Sequence, residues 1–228
     1  MSGLRRYAQG RPQISHIDKE KLGCFNDFYK TLKHENMKTI IHRRPSVKNI
    51  LIINQKGGVG KSTLADLLVW ELEKAEIPCS FYDLDGQGGV VHETFENPRA
   101  KVAVIDTPGA LQKDMHVWIK EASLIIVPTK ATMMDVKPLQ RMIELVKDAK
   151  CPVLFVEMMW NRFTTASSFE EWLRSEVDGR FQILRIPQSE QFAQAAAIGC
   201  SVIDYAPRSS AAEAASIFVE QVRKTIKL

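Results

Sequence analysis

The run Asn54-Gln55-Lys56-Gly57-Gly58-Val59-Gly60-Lys61-Ser62-Thr63 holds the residue types that bind a phosphate chain. Glycines let backbone N–H groups close around phosphate oxygens, a lysine brings charge to the β and γ phosphates, and a serine hydroxyl ligates Mg²⁺. That chemistry needs a strand before the glycines and a helix after them. Upstream, Asn49-Ile50-Leu51-Ile52-Ile53 is an apolar, β-branched run of the kind buried on both faces of a parallel sheet. Downstream, Leu64, Leu67, Leu68, Leu72 and Ala75 recur at helical spacing. The glycine turn is therefore predicted at a strand-to-helix junction, with Lys61 on the phosphates and Ser62 on the metal.

Two acidic segments extend the same reading. Cys79-Ser80-Phe81-Tyr82 reads as a second strand ending in Asp83-Leu84-Asp85. Carboxylates at i and i+2 leave an extended strand on one side, and the C-terminal end of a parallel strand faces the ligand crevice. Lys101-Val102-Ala103-Val104-Ile105 reads as a buried strand ending in Asp106-Thr107-Pro108-Gly109. A carboxylate there can hold a metal-bound water opposite Ser62, and the following loop can sense a γ-phosphate. D-x-x-G also occurs in GTPases, which read guanine with an N-K-x-D-type motif after a later strand. Here Thr129-Lys130-Ala131-Thr132 lacks the aspartate, so ATP is favoured. Gly86-Gln87-Gly88 is weak as a dinucleotide loop, being a lone G-x-G in the second crossover.

The glycine run departs from G-x-x-x-x-G-K-[ST], because Gln55 stands where the first glycine belongs and Lys56 precedes the double glycine. K-G-G-V-G-K-S resembles the deviant Walker A box of the ParA/MinD family, closest to its ParA-type wording. Asp83-Leu84-Asp85-Gly86-Gln87-Gly88 is similar to the family's D-x-D-P-Q-G, with Gly86 in place of proline. The resemblance implies an ATP hydrolase that dimerises on ATP and Mg²⁺. By position, Gly57, Gly58, Val59, Gly60, Lys61, Ser62 and Thr63 would hold the nucleotide, with Pro187 in the loop beside adenine. Ser62, Asp83 and Asp106 would serve the metal. Lys56 would reach the partner's phosphates with Asp83 supporting it, and Asp85 would orient the attacking water beside Lys56 and Lys61. Met158-Met159-Trp160-Asn161-Arg162-Phe163-Thr164-Thr165 resembles the family's post-strand loop. Only residues 86–100 separate Asp85 from the next strand, shorter than is usual for the family.

The chain has 228 residues, 45% of them hydrophobic, enough for a globular domain plus an extension. Strand-like and helix-like segments alternate from residue 49, which predicts an α/β fold with a doubly wound, mostly parallel sheet. Residues 1–48 carry 11 Lys and Arg against 4 Asp and Glu, so the net charge of +4 conceals a basic extension before a mildly acidic domain, residues 49–228. In that extension Arg5, Arg6, Arg11, Lys19 and Lys21 are interleaved with Tyr7, Phe25, Phe28 and Tyr29, and a short helix is predicted around Asp18–Leu32. It suits a DNA-phosphate arm or a partner-binding or solvated tail. The four cysteines form no C-x-x-C pair and read as reduced thiols. A start without an apolar leader and the absence of a long apolar run are expectations of a cytoplasmic chain.

Arg162, Arg185, Arg208, Arg223 and Lys224 are basic residues in the region where ParA dimers present charge to non-specific DNA, though scattered solvated charges have the same composition. Ala215, Phe218, Val219, Val222 and Ile226 form one stripe, which suits packing on the sheet better than a membrane-binding tail. The resemblance thus implies partition of a plasmid or other mobile DNA on the nucleoid, with a centromere-binding ParB-type adaptor. Relatives in conjugative transfer or secretion, and a MinD-like membrane-positioning ATPase, are the alternatives.

Overall fold

Apolar runs without polar alternation form strands covered on both faces, and every strand here but the last has that character, the last, at the sheet edge, being partly exposed. The computed structural model describes residues 46–85, 89–109, 115–177, 179 and 181–228. The expected helix around Asp18–Leu32, nearly all of the basic extension and Gly86-Gln87-Gly88 lie outside the described residues.

In chain order the elements are β1 (Lys48–Ile52), α1 (Lys61–Lys74), β2 (Cys79–Asp83), β3 (Val102–Asp106), α2 (Met115–Glu121), β4 (Leu124–Lys130), α3 (Met133–Val146), β5 (Val153–Trp160), α4 (Thr164–Val177), β6 (Gln182–Pro187), α5 (Gln191–Ala197), α6 (Val202–Tyr205) and α7 (Ser210–Thr225). The sheet has six strands in the order β2-β3-β1-β4-β5-β6, and every neighbouring pair is parallel. The predicted doubly wound α/β fold is therefore present. The chain winds one way from β1 to β2 and β3, then the other way through β4, β5 and β6. This reversal puts the C-terminal end of β1 at the crevice where such folds bind ligands.

Alternate residues of each strand serve opposite faces. Ile50, Ile52, Phe81, Val104, Ile126, Leu154, Val156 and Ile186 share one core with Leu64, Leu67 and Leu68 of α1 and Phe218 and Val222 of α7. The α7 stripe is buried there, as packing required. Leu51, Ile53, Ile105, Ile125, Val127 and Phe155 are buried too, as are Leu139 and Met142 of α3 and Phe169 and Leu173 of α4. No helix among the described residues is long and apolar enough to cross a membrane.

Two details depart from the sequence expectations. First, β5 runs on to Trp160, with an irregularity in its pairing between Glu157 and Trp160. Of the segment Met158 to Thr165 expected as a loop, the first three residues are therefore strand and the last two open α4, and only Asn161, Arg162 and Phe163 connect them. Second, Pro128 sits inside the central strand β4, a position that normally excludes proline. It is tolerated because β1 pairs with β4 only as far as Ile52 opposite Ile126. Pro128 thus lies past the end of β1, where no ladder partner needs its missing N–H. Its carbonyl instead accepts from Asn54 Nδ2 at 2.7 Å.

Candidate nucleotide site

The turn after β1 is shaped by backbone that only glycine adopts readily. Gly58 and Gly60 have φ of 68° and 97°, in the left-handed region. At Gly60 space is closed as well: a Cβ would stand 2.8 Å from the Met158 Cε. Asn54 braces the start of the turn, since its Oδ1 accepts from the Lys56 N–H at 2.9 Å while its Nδ2 holds Pro128. Gly109, after β3, closes over the turn so tightly that a Cβ would lie 3.2 Å from the Gly57 nitrogen.

Helix α1 starts at Lys61 with Gly60 as its N-cap, without a side-chain cap bond and without an acidic residue in its first turn. Helix α7, by contrast, begins with Ser209 accepting from the Ala212 N–H at 3.1 Å. The first N–H groups of a helix need partners and carry its positive end, so the α1 terminus is arranged for an anion. Lys61 is buried beside it at 5% exposure.

Asp106 ends β3 opposite Ile52 of β1 and Asp83 of β2, so three strands converge below the turn. Its carboxylate is fully buried; Oδ2 accepts from the Ser62 hydroxyl at 2.7 Å, and Oδ1 has no hydrogen-bond partner among the described residues. Burial pushes the Asp106 carboxyl up to about 7, against the lowering pull of the Ser62 hydrogen bond and the Lys61 charge; Asp83 and Asp85 push it higher. An orphaned acidic oxygen next to a serine hydroxyl, with two more carboxylates close by, is a donor set for a hard divalent cation. Ser62 and Asp106 would hold such an ion together with phosphate oxygens, and Asp83 stands on the neighbouring strand. Asp85 is half-buried, with its N–H donating to Asp83 Oδ1 at 2.9 Å. Thr107 is fixed by donating its hydroxyl to the Ile52 carbonyl at 2.8 Å.

Lys56 points elsewhere. Its Nζ lies 2.5 Å from Oδ1 of Asp135, which is in the first turn of α3. Asp135 is buried and also accepts from the Thr132 hydroxyl. Nothing in the sequence signalled that Lys56 would meet Asp135. Pro187 ends β6 and is paired with Trp160, whose carbonyl accepts from the Gln188 N–H at 2.9 Å.

The basic residues divide. Arg162, Arg208 and Lys224 are exposed and Arg223 is half-buried. Arg208 precedes α7 while Arg223 and Lys224 are in its last turn, which separates them by about 20 Å of helix. Arg185 departs from the expectation of a DNA contact. Its Nε is 3.5 Å from Oε2 of Glu157, its guanidinium pairs with Glu170, and it stacks 4.8 Å from the centre of the Trp160 ring. Two carboxylates and an aromatic face within the domain occupy its charge. Burial pushes the Glu157 carboxyl up to about 6, with Arg185 and Arg174 acting to lower it.

The profile of one protein family, described as the CobQ/CobB/MinD/ParA nucleotide binding domain, matches residues 50–202. No curated protein sequence matches the chain. Solved structures share its fold. A variant of McdA from Cyanothece, in complex with ATP, superposes with a TM-score of 0.66 at 15% identity, covering 80% of this chain and 97% of McdA. The septum site-determining protein MinD of Pyrococcus horikoshii, with Mg-ADP, gives 0.60 at 17% identity over 78% of this chain and 96% of its own. A putative plasmid partition protein of Borrelia burgdorferi, bound to AMPPNP, gives 0.55 at 15% identity over 77% and 99% of the two chains. The matched span runs from β1 through the phosphate turn, Asp83, Asp85 and Asp106 into α6, and on it this chain belongs to the CobQ/CobB/MinD/ParA nucleotide-binding family.

Proposed function

We propose that the chain is an ATPase that dimerises on ATP and Mg²⁺, binds DNA without sequence preference, and partitions a plasmid or other mobile element. The observation that carries this reading is the position of Lys56. A second lysine in the phosphate turn, its ammonium paired with Asp135 of α3, supports a role toward a nucleotide other than the one cradled by its own turn. Met134, in the first turn of α3, is 82% exposed, and Phe163, on the connection that follows β5, is 71% exposed; both come after the C-terminal ends of neighbouring strands. Exposed apolar residues beside a binding site suit burial by a second subunit. The solved relatives bound to ATP, AMPPNP and Mg-ADP support the choice of nucleotide.

In this reading the N–H groups of the turn and of the α1 start take the phosphates, and Lys61 neutralises their charge. Ser62 and Asp106 hold Mg²⁺, which would stabilise charge on the transferring phosphoryl group. Asp85 accepts a hydrogen bond from the attacking water and orients it. Lys56 leaves Asp135 for the partner's phosphates, completing two sites at once. Hydrolysis removes the γ-phosphate that holds the subunits together, and the dimer opens. Arg162, Arg208, Arg223 and Lys224 would meet DNA phosphates from both subunits, giving affinity that falls with salt. A ParB-type adaptor bound to a centromere-like site would stimulate turnover, and the protein would work in the cytoplasm on the nucleoid.

A MinD-like membrane role is less supported, because the apolar stripe of α7 is consumed by the core. Conjugative transfer or secretion would use the same ATPase core. The deciding experiment combines light scattering and DNA mobility shift, with and without ATP, on the parent, Lys56→Ala and Asp85→Ala. The parent is expected to dimerise and bind random DNA only with ATP, Lys56→Ala to do neither, and Asp85→Ala to do both without hydrolysis. A Lys56→Ala protein that dimerises normally overturns the cross-subunit role. ATP-dependent sedimentation with liposomes in place of DNA binding favours the membrane reading.

A further inference from the structure

Asp66 lies one turn beyond Ser62 on α1 and is buried at 4% exposure. A carboxylate costs stability in such a place unless its oxygens are bonded. Both are. Oδ2 accepts from the Val91 N–H at 2.8 Å; Oδ1 accepts from the His92 N–H at 3.0 Å and lies 2.6 Å from His92 Nδ1. The His92 ring stands edge-on to Trp70 and Phe81, with centroids 5.0 Å and 6.2 Å away, and its Nε2 is 4.0 Å from Glu73.

The connection that Asp66 grips runs from Asp85 back to β3. It is fixed again where Phe95 exchanges two backbone hydrogen bonds with Phe81, and where Thr94 Oγ1 accepts from the Asp83 N–H at 3.0 Å. Nearer the site, Gly89 approaches α1 so closely that a Cβ would lie 3.2 Å from Ser62 Oγ. One side chain of α1 therefore fastens the segment that follows Asp85 to the same helix that presents Lys61 and Ser62. Asp85 is tied to β2 through Asp83, and residues 91 and 92 further along the connection are tied to α1 through Asp66.

We propose that Asp66, with His92 completing its bonds, is a positioning residue for ATP hydrolysis. It locks the backbone of residues 89–92 onto α1 and so sets the approach of Asp85 to the phosphates and metal. Asp66 does not touch the nucleotide and acts through the loop. The inference rests on the ATPase reading above. A positioning role predicts a loss concentrated in kcat, because nucleotide is held by the turn and α1 while the loop matters for orienting water.

The test compares steady-state ATP hydrolysis, binding of a fluorescent ADP and Tm for the parent, Asp66→Asn, His92→Phe and His92→Asn. Asparagine at position 66 places an NH₂ donor against a backbone donor and breaks part of the grip. His92→Phe keeps the ring packing and loses the donor; His92→Asn puts a donor near the place of Nδ1. Expected are a kcat reduced by roughly tenfold to a hundredfold in Asp66→Asn and His92→Phe, the cost of a small misplacement. KM and ADP affinity stay within about twofold, and most of the rate returns in His92→Asn. If Asp66→Asn does not fold, the His92 pair carries the test alone. Parental kcat in these variants, or a parallel loss of ADP affinity that His92→Asn does not rescue, overturns the positioning role. A parent without hydrolysis overturns the ATPase reading and this inference with it; a hydrolysing parent with unaffected variants overturns only the inference.

Discussion

Lys56 Nζ lies 2.5 Å from Asp135 Oδ1, joining the phosphate turn after β1 to the first turn of α3 after β4. The carboxylate is 2% exposed and the lysine side chain 34% exposed, so the buried partner stays in place while the ammonium can swing away. To serve a second subunit, Lys56 must give up this pair. Asp135→Asn weakens it while keeping the shape and the Thr132 contact. The expected outcome is dimerisation at several-fold lower ATP concentration than the parent, measured by light scattering across an ATP titration. An unchanged midpoint would mean that the pair does not restrain Lys56.

Asp106 couples stability to the metal. Its burial, only partly offset by the Ser62 hydrogen bond and the Lys61 charge, makes the charged form unfavourable in nucleotide-free protein, holding the carboxyl up to about 7. Asp106→Asn removes that charge, so at pH 8 its Tm without nucleotide is expected to equal or exceed the parent's. The Tm rise that ADP and Mg²⁺ give the parent should be lost in the variant, and in the parent EDTA should abolish the part due to the ion. Differential scanning fluorimetry with and without EDTA checks both.

Glu157 gives a pH dependence of stability with a definite sign. A carboxyl whose folded value is raised to about 6 by burial binds protons more tightly folded than unfolded. Its favourable contribution is full below the unfolded value and is lost as pH rises through about 6. Parent stability should fall, relative to Glu157→Gln, as pH increases from about 4.5 to about 7, with the difference level above that. Urea midpoints at several pH values measure it.

Arg185, itself exposed but paired with Glu157 and Glu170, and the other exposed cations should separate in a salt titration. Arg185→Ala leaves Glu157 buried without its ion-pair partner and is expected to lower Tm by several degrees, with little change in the salt dependence of DNA binding. Arg162→Ala and Lys224→Ala should leave Tm unchanged. Each should reduce the slope of log affinity against log salt by about one for every DNA phosphate the removed cation neutralised. An Arg185→Ala protein of normal stability with a reduced slope would return Arg185 to the DNA face.

Gly60 tests the turn itself. Gly60→Ala meets Met158 and a φ of 97° together, and is expected to lose at least about 1 kcal/mol of stability along with nucleotide binding. Adding Met158→Ala relieves the clash and leaves the backbone strain, so recovery should be partial in both Tm and ADP affinity.

The sequence by itself determined what is local. The glycines, Lys61 and Ser62 between an apolar run and a leucine-spaced helix specified the phosphate turn, because those residue types at that spacing have few other uses. Asp83, Asp85 and Asp106 at strand ends followed from the same logic, as did the α/β alternation and the buried stripe of α7. What the tertiary structure decided are meetings between distant positions: Lys56 with Asp135, Arg185 with Glu157 and Glu170, Asp66 with His92, and Asn54 with Pro128. Arg185 is a surface cation whose two carboxylate partners the spacing did not mark, and Asp66 was one polar letter in a leucine-rich helix. Nothing in spacing along the chain encodes these pairs. They arise from the order β2-β3-β1-β4-β5-β6, which puts β4 beside β1 and sets β5 against β6 in a register that opposes Glu157 to Arg185. They also depend on burial, which makes a carboxylate without a partner costly enough that its neighbours define its role.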